Sequence, residues 1–167
     1  TLALISWAVI PFSEDFVYVY VNSGSSQDEM ISSISSYIID VESFIKAAKT
    51  KKYLENIKAG RFIIHKGDGN NKIINSLRSK NIPLNITFNN IQTIQEFSGY
   101  ISKKIEADSM SLIKSFTDEN FLKSLNLSQE SVLSLFLPNT YEFFWNTSAD
   151  NFRAVSYTHL TLPTNSN

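Results

Sequence analysis

The 167-residue chain contains no cysteine, which excludes disulfides, thiolate metal sites and a cysteine nucleophile. Histidine is scarce, with only His65 and His159. His65 has no second histidine or Asp–His partner at ligand spacing and reads as a structural or exposed residue, His159 belongs to the closing tail, and without cysteine or a histidine pair no metal site is expected. Neither sign of charge dominates. Fifteen Lys and Arg residues are interspersed with sixteen Asp and Glu, for a net charge of −1. The absence of a basic stripe argues against a nucleic-acid partner. There is no Gly-x-Ser-x-Gly elbow, so serine-hydrolase chemistry is unsupported. The segment "HKGDGNNK" (65–72) lacks the Gly-Lys-Ser/Thr ending of a phosphate loop and reads as a plain turn. No cofactor is implied.

What is present is enough apolar material for a core. The hydrophobic fraction is 43% and the aromatic fraction 13%, sufficient for one ordinary domain or two small ones. The opening "TLALISWAVIPF" is apolar from Leu2 to Ile10. It is too short to cross a bilayer, which takes about 20 residues. It is either a core strand or the outer end of a membrane anchor, with Pro11, Glu14 and Asp15 marking the exit into water. The lack of polar alternation favours the anchor and assigns residues 1–12 to it.

Beyond it, "FVYVYVNSGSS" (16–26) reads as a strand followed by a glycine turn. Ser26 and Glu29 fit a capping box before a helix that carries Met30, Ile31, Ile34, Tyr37 and Ile38. A second helix is predicted over 41–51 with Phe44, Ile45 and Ala48 inward. A strand follows at 61–65, then a helix marked by Ile73, Ile74 and Leu77. The stretch "VYVNSGSSQDEMISSI" is echoed by "FIIHKGDGNNKIINSL" at an offset of 43 residues. Gly24 falls on Gly67, Met30 on Ile73 and Ile34 on Leu77, and a tight strand-to-helix turn often needs a positive φ at its glycine. Next come a strand at 84–88 after Pro83, a helix capped by Thr93 and Glu96 with Phe97, Tyr100, Ile101 and Ile105 inward, and two short helices begun by Asp108 and by Thr117 or Asp118. An extended aromatic run broken at Pro138 then follows. The division suggested is a small strand–turn–helix unit over 16–80 and a second unit over 81–153.

One carboxylate draws notice. Glu142 in "NTYEFFWN" is flanked by aromatics on both sides. Glycan cleavage uses a carboxyl held in an apolar pocket, yet Glu142 equally fits the solvent-facing position of an alternating strand, and that reading is favoured. Tyr141, Phe143, Phe144 and Trp145 could stack on sugar faces or form core.

The stretch "LFLPNTYEFFWNTSA" (135–149) closely resembles the Leu-Phe-x-Pro-x-Thr-Tyr-x-Phe motif of the endolytic murein transglycosylases, the YceG-like family, in a form like that of Bacteroidetes-type members. Supporting similarity runs through "VYVNSGSS", "IKAGRFIIHKGDGNNKIINSLRS" and "ITFNNIQTIQEFSGYISKKIEADS", so that it spans residues 16–152 in order. The resemblance implies an α+β protein: a small LysM-like module, then the beginning of an α+β catalytic domain. It also implies a single-pass anchor in the bacterial inner membrane with the body in the periplasm. The implied partners are peptidoglycan glycan strands and, by extension, cell-wall synthases. The implied activity is internal cleavage of nascent glycan strands to 1,6-anhydro-muramoyl ends. The family's acid–base glutamate lies in a later Ile-Ile-Glu-x-Glu-like segment that this sequence does not contain, so no catalytic residue is carried over. Pro138, Asn139, Thr140, Tyr141 and Phe143 are the motif positions, expected beside the substrate groove or supporting it. Two alternatives from other classes are a non-catalytic LysM-like peptidoglycan-binding module and an aminodeoxychorismate lyase. The missing phosphate cradle weighs against the second.

The closing "AVSYTHLTLPTNSN" (154–167) has no Lys, Arg, Asp or Glu and resembles translated sequencing-adapter sequence. It is expected to be a non-native tail without helix or buried strand, which would make the chain an N-terminal fragment.

Overall fold

The computed structural model describes residues 15–89 and 91–161. The chain divides into two compact units, with the boundary between Ile82 and Pro83. The first unit is built on two antiparallel strands, β1 (Phe16–Val21) and β2 (Gly60–His65), paired from Phe16↔His65 to Val21↔Gly60. Helices α1 (Gln27–Ser35) and α2 (Val41–Thr50) lie between them in sequence, and α3 (Asn70–Arg78) follows β2. Alternation along β1 sends Val19 and Val21 inward, where they meet Met30, Ile34, Phe44, Tyr53, Phe62, Ile64, Ile74 and Leu77 in one buried cluster.

Local chemistry starts these helices where the sequence says it should. Ser26 accepts from the Glu29 N–H while the Glu29 carboxylate accepts from the Ser26 N–H, a complete capping box. Asp40 caps α2 by accepting from the Ser43 N–H. The internal echo also has a backbone counterpart: Gly24 and Gly67 sit at φ +72° and +84° in equivalent strand-to-helix turns. Gly60 has a different reason to be glycine. A Cβ there would lie 2.5 Å from the Asn81 side chain, whose amide oxygen accepts from the Arg61 N–H.

The second unit holds β3 (Leu84–Phe88), α4 (Ile94–Ser102), α5 (Ser109–Phe116), α6 (Glu119–Ser124), β4 (Asn139–Phe143) and α7 (Ala149–Thr161). β3 and β4 pair antiparallel, Leu84 opposite Phe143 and Phe88 opposite Asn139. The core is largely aromatic. Phe97 packs against Phe88, Phe116 and Phe136 at ring distances of 4.9, 5.6 and 4.7 Å, and Phe143 stacks on Phe152 at 4.4 Å. Thr93, Asp108 and Asp118 each accept from the N–H three residues on and so start α4, α5 and α6. The mixture of helices with small antiparallel sheets is α+β, as the sequence indicates.

The structure departs from the sequence-based reading at three places. Tyr100, expected inward, is exposed, because its hydroxyl reaches out to donate to the Thr87 carbonyl at 2.6 Å. The run before Pro138, expected to be extended, contains a 3-10 turn at Val132–Leu135. That turn is set up by reciprocal Ser128–Ser131 hydrogen bonds and held by burial of Val132. Residues 154–161, expected to be without helix, continue α7 to Thr161. The helix begins upstream, where the Ser148 hydroxyl accepts from the Asn151 N–H and Phe152 is fully buried, and no glycine or proline interrupts it before Pro163. The predicted anchor at 1–12 lies outside the described residues. Among those described, no helix is long and apolar enough to cross a membrane.

Candidate functional site

The Pro138–Phe143 segment enters the second unit's sheet as β4, and the pleat divides its residues between two faces. Tyr141 and Phe143 point into the core, while Thr140 and Glu142 point to solvent. β3 has the same alternation, burying Ile86 and Phe88 and exposing Asn85 and Thr87. Because Asn85 pairs with Glu142 and Thr87 with Thr140, the outer face is a small polar patch of four side chains.

On that patch the hydroxyls of Thr87 and Thr140 lie 2.6 Å apart and share a hydrogen bond. The Tyr100 hydroxyl fixes β3 from the flank through the Thr87 carbonyl. Glu142 sits on this exposed face with no apolar enclosure around its carboxylate, which is the arrangement of a solvated strand residue rather than of a buried general acid.

Beneath the sheet, the Tyr141 ring stacks on Phe88 at 5.0 Å with an interplanar angle of 6°. Its hydroxyl donates to the Leu137 carbonyl at 3.0 Å, holding the Leu137–Pro138 corner against the strand it leads into. Burial pushes the Tyr141 hydroxyl above the ordinary tyrosine pKa. Asn139 uses its side-chain oxygen to accept from the Thr140 N–H. Pro138 lines a mainly apolar cleft of about 240 Å³ with Phe88, Ile91, Phe97, Leu133 and Phe136.

The five motif residues therefore do not form one surface. Tyr141 and Phe143 are core, Thr140 is on the outer face, Asn139 is exposed at the start of the strand, and Pro138 borders the cleft. The sequence reading did not single out Thr87 or Tyr100. The period-two pattern of "LNITF" carried the signal for Thr87, whereas Tyr100 was hidden within the apolar stripe of α4.

Elsewhere, polar groups hold structure. Asp68 accepts from the His65 N–H at 2.9 Å and pairs with Lys72 at 2.7 Å. Burial works to raise the Asp68 pKa, but the hydrogen bonds from Lys72 and the His65 backbone outweigh it and leave the carboxyl below its usual range. Ser115 donates to Asp150 at 2.6 Å, and the Arg153 guanidinium lies 4.2 Å over the Phe121 ring, tying α7 to α5 and α6. Among the described residues, no three His, Cys, Asp or Glu side chains gather where a metal could bind.

An α+β chain that presents a Pro-x-Thr-Tyr strand over an aromatic core is the class defined by fold and site. The chain belongs to the YceG-like family, whose model matches residues 19–164. Among solved structures, it is similar to a yceG-like protein from Listeria monocytogenes, with 17% identity and a TM-score of 0.42. That similarity covers 88% of this chain, which spans 55% of the Listeria protein's length. Comparison with curated proteins gives no match.

Proposed function

We propose that the chain is part of a membrane-anchored endolytic peptidoglycan lytic transglycosylase, contributing one wall of the glycan groove. The observation that carries this reading is family membership over residues 19–164, with the second half of the Leu-Phe-x-Pro-x-Thr-Tyr-x-Phe motif, Asn139–Phe143, in a formed strand. In the proposed reaction a glutamic acid protonates the glycosidic oxygen, and the bond from that oxygen to the muramoyl C1 breaks. The muramoyl 6-hydroxyl attacks C1, its oxygen forms the 1,6-anhydro bond, and its proton passes to the carboxylate, so no water is consumed.

The acid belongs to an Ile-Ile-Glu-x-Glu-like segment that this sequence does not contain, and Glu142 does not replace it. The chain's own share is support. Tyr141 and Phe143 pin β4 to the core, and Asn85, Thr87, Thr140 and Glu142 present hydrogen-bonding groups along its outer face. Residues 1–12 would form the outer end of the single inner-membrane anchor, placing both units in the periplasm within reach of cell-wall synthases. Muropeptide analysis by mass spectrometry tests the assignment. The 167-residue chain is expected to leave purified peptidoglycan uncut, and a longer protein carrying the glutamate segment is expected to release 1,6-anhydro-muramoyl products. Anhydro products from the chain alone would overturn the placement of the acid, and their absence from both would overturn the reaction.

A second reading, a non-catalytic LysM-like glycan-binding module, is favoured by the repeated strand–turn–helix of the first unit with its paired positive-φ glycines. Co-sedimentation of the chain with purified sacculi is expected under it, and a chain that stays wholly in the supernatant counts against it.

A further inference from the structure

The outer face of the first unit's sheet carries three aromatic side chains and no carboxylate. Phe16, Tyr18 and Tyr20 on β1 stand opposite His65, Ile63 and Arg61 on β2. We infer that this face lies on the headgroup layer of a lipid bilayer, with β1 running along the membrane surface. The choice of a bilayer rests on the anchor reading above; the amphipathic character of the face rests on the structure alone.

The alternation that buries Val19, Val21, Phe62 and Ile64 against the helices sends these six side chains to the opposite side. Tyr20 is 42% exposed and His65 is exposed, while Phe16, Tyr18, Arg61 and Ile63 are half-buried. Phe16 meets Tyr18 edge-on at 5.5 Å, and the Arg61 guanidinium lies 4.3 Å over the Tyr18 ring. The solvent face of an antiparallel sheet is usually polar, and this one is not. Tyrosine and arginine each combine an apolar body with a polar tip, the combination that settles at a membrane–water boundary. A wholly apolar partner would strip water from the tyrosine hydroxyls and the guanidinium without replacing their hydrogen bonds. A headgroup layer gives the rings an apolar boundary and gives Arg61 a phosphate.

Position in the chain selects this occupant. Only residues 13–15 separate the assigned anchor from Phe16, the first residue of the aromatic row. Fully extended, that connection reaches at most about 14 Å, and each headgroup layer is about 5–8 Å deep. Phe16 is therefore held at or just above the headgroups. β1 carries the row about 17 Å further, so a unit lying on this face brings Tyr20 and Arg61 down to the same layer. A unit standing upright would leave them in water. Glu14 and Asp15 in the connection oppose the charge of Arg61 and of Lys66, whose N–H donates to the Asp15 carbonyl. The contact therefore depends on the rings and one local phosphate bond, not on net charge.

The test is amide NMR of the full 167-residue chain in phosphatidylcholine–phosphatidylglycerol bicelles that carry a headgroup spin label. Amides of β1 and β2 are expected to broaden more than those of α1, α2 and α3, which pack on the far side of the sheet. In vesicles of the same lipids, Tyr20→Thr, which keeps a good strand former, should weaken binding about three-fold. Arg61→Gln should weaken it about five-fold, and Arg61→Lys should stay close to the unsubstituted chain. Inorganic phosphate alone should leave the Arg61 amide unmoved. Helix amides broadened as much as strand amides, or vesicle affinity unchanged in both Tyr20→Thr and Arg61→Gln, would each overturn the inference. So would a lipid-free dimer that Tyr20→Thr converts to monomer, which would assign the face to a second copy. Its failure is separable from that of the anchor. Broadening of residues 1–12 without the strands removes the face contact alone, and broadening of the strands without residues 1–12 removes the anchor alone. Neither result bears on the anhydro-muramoyl assay of the longer protein.

Discussion

At the scale of single residues, the most informative side chain for stability is Tyr53. It is fully buried in the first unit, and its hydroxyl has no hydrogen-bond partner among the described residues. An unsatisfied buried hydroxyl costs about 1–3 kcal/mol, whereas an apolar group of the same shape does not incur that cost. Tyr53→Phe is therefore expected to stabilise the first unit by about 1 kcal/mol in denaturant titrations. Burial also pushes the Tyr53 pKa up from 10.0 to about 12. The unfolded chain then loses its proton near pH 10 while the folded chain keeps it to about pH 12, so between those values the folded state binds more protons and stability falls as pH rises. This alkaline loss should be absent from Tyr53→Phe. Equal alkaline slopes in the two proteins would show that Tyr53 ionises alike in both states. The same scale shows why Glu142 was ambiguous in the sequence. Aromatic neighbours in sequence alternate across a strand, so Tyr141 and Phe143 lie on the opposite face and enclose nothing around the carboxylate.

At the scale of elements, legibility followed the range of the forces involved. Capping is local, and Ser26, Asp108 and Thr93 start helices where their sequence context indicates. Even here tertiary detail intrudes: Glu96 reaches the Gln92 N–H, one residue before the cap, rather than the Thr93 N–H. The Gly24 and Gly67 turns were legible for the same reason, since a positive φ is demanded by the turn itself. The 3-10 turn at Val132–Leu135 and the helix through residues 154–161 were not legible, because both depend on distant partners. Val132 is ordered by burial in the aromatic core, and α7 is held by Phe152 stacked on Phe143 and by Asp150 and Arg153 on α5 and α6. Phe152→Ala removes the anchoring ring and is expected to cost about 3–5 kcal/mol, read as a shift of the second unit's unfolding midpoint with loss of helical circular dichroism from α7. A cost below about 1 kcal/mol would mean that α7 is held by its polar ties alone.

At the scale of the whole molecule, the two units have hydrophobic clusters with no residue in common, one centred on Phe44, Phe62 and Ile74 and the other on Phe97, Phe116 and Phe152. Domains of roughly 80 residues bury only about 60% of the surface their unfolded chains expose, and at about 0.05–0.15 kcal/mol per residue each unit would hold only about 4–12 kcal/mol of stability. A loss of about 3–5 kcal/mol from Phe152→Ala would thus remove from about a quarter to all of what the second unit has, while the first unit's core is untouched. The expected result is a protein with two separable states of order. In amide-NMR spectra of Phe152→Ala under mild denaturant, signals of β1, β2 and α3 should keep their native dispersion after those of β3, β4 and α7 have collapsed. Adding Tyr53→Phe should then raise the first unit's midpoint by the same amount in the native and Phe152→Ala backgrounds, within about 0.5 kcal/mol, as for substitutions with no shared partners. A single transition for both sets of signals, or a stabilisation by Tyr53→Phe that changes with the background, would show that the cores fold as one cooperative body.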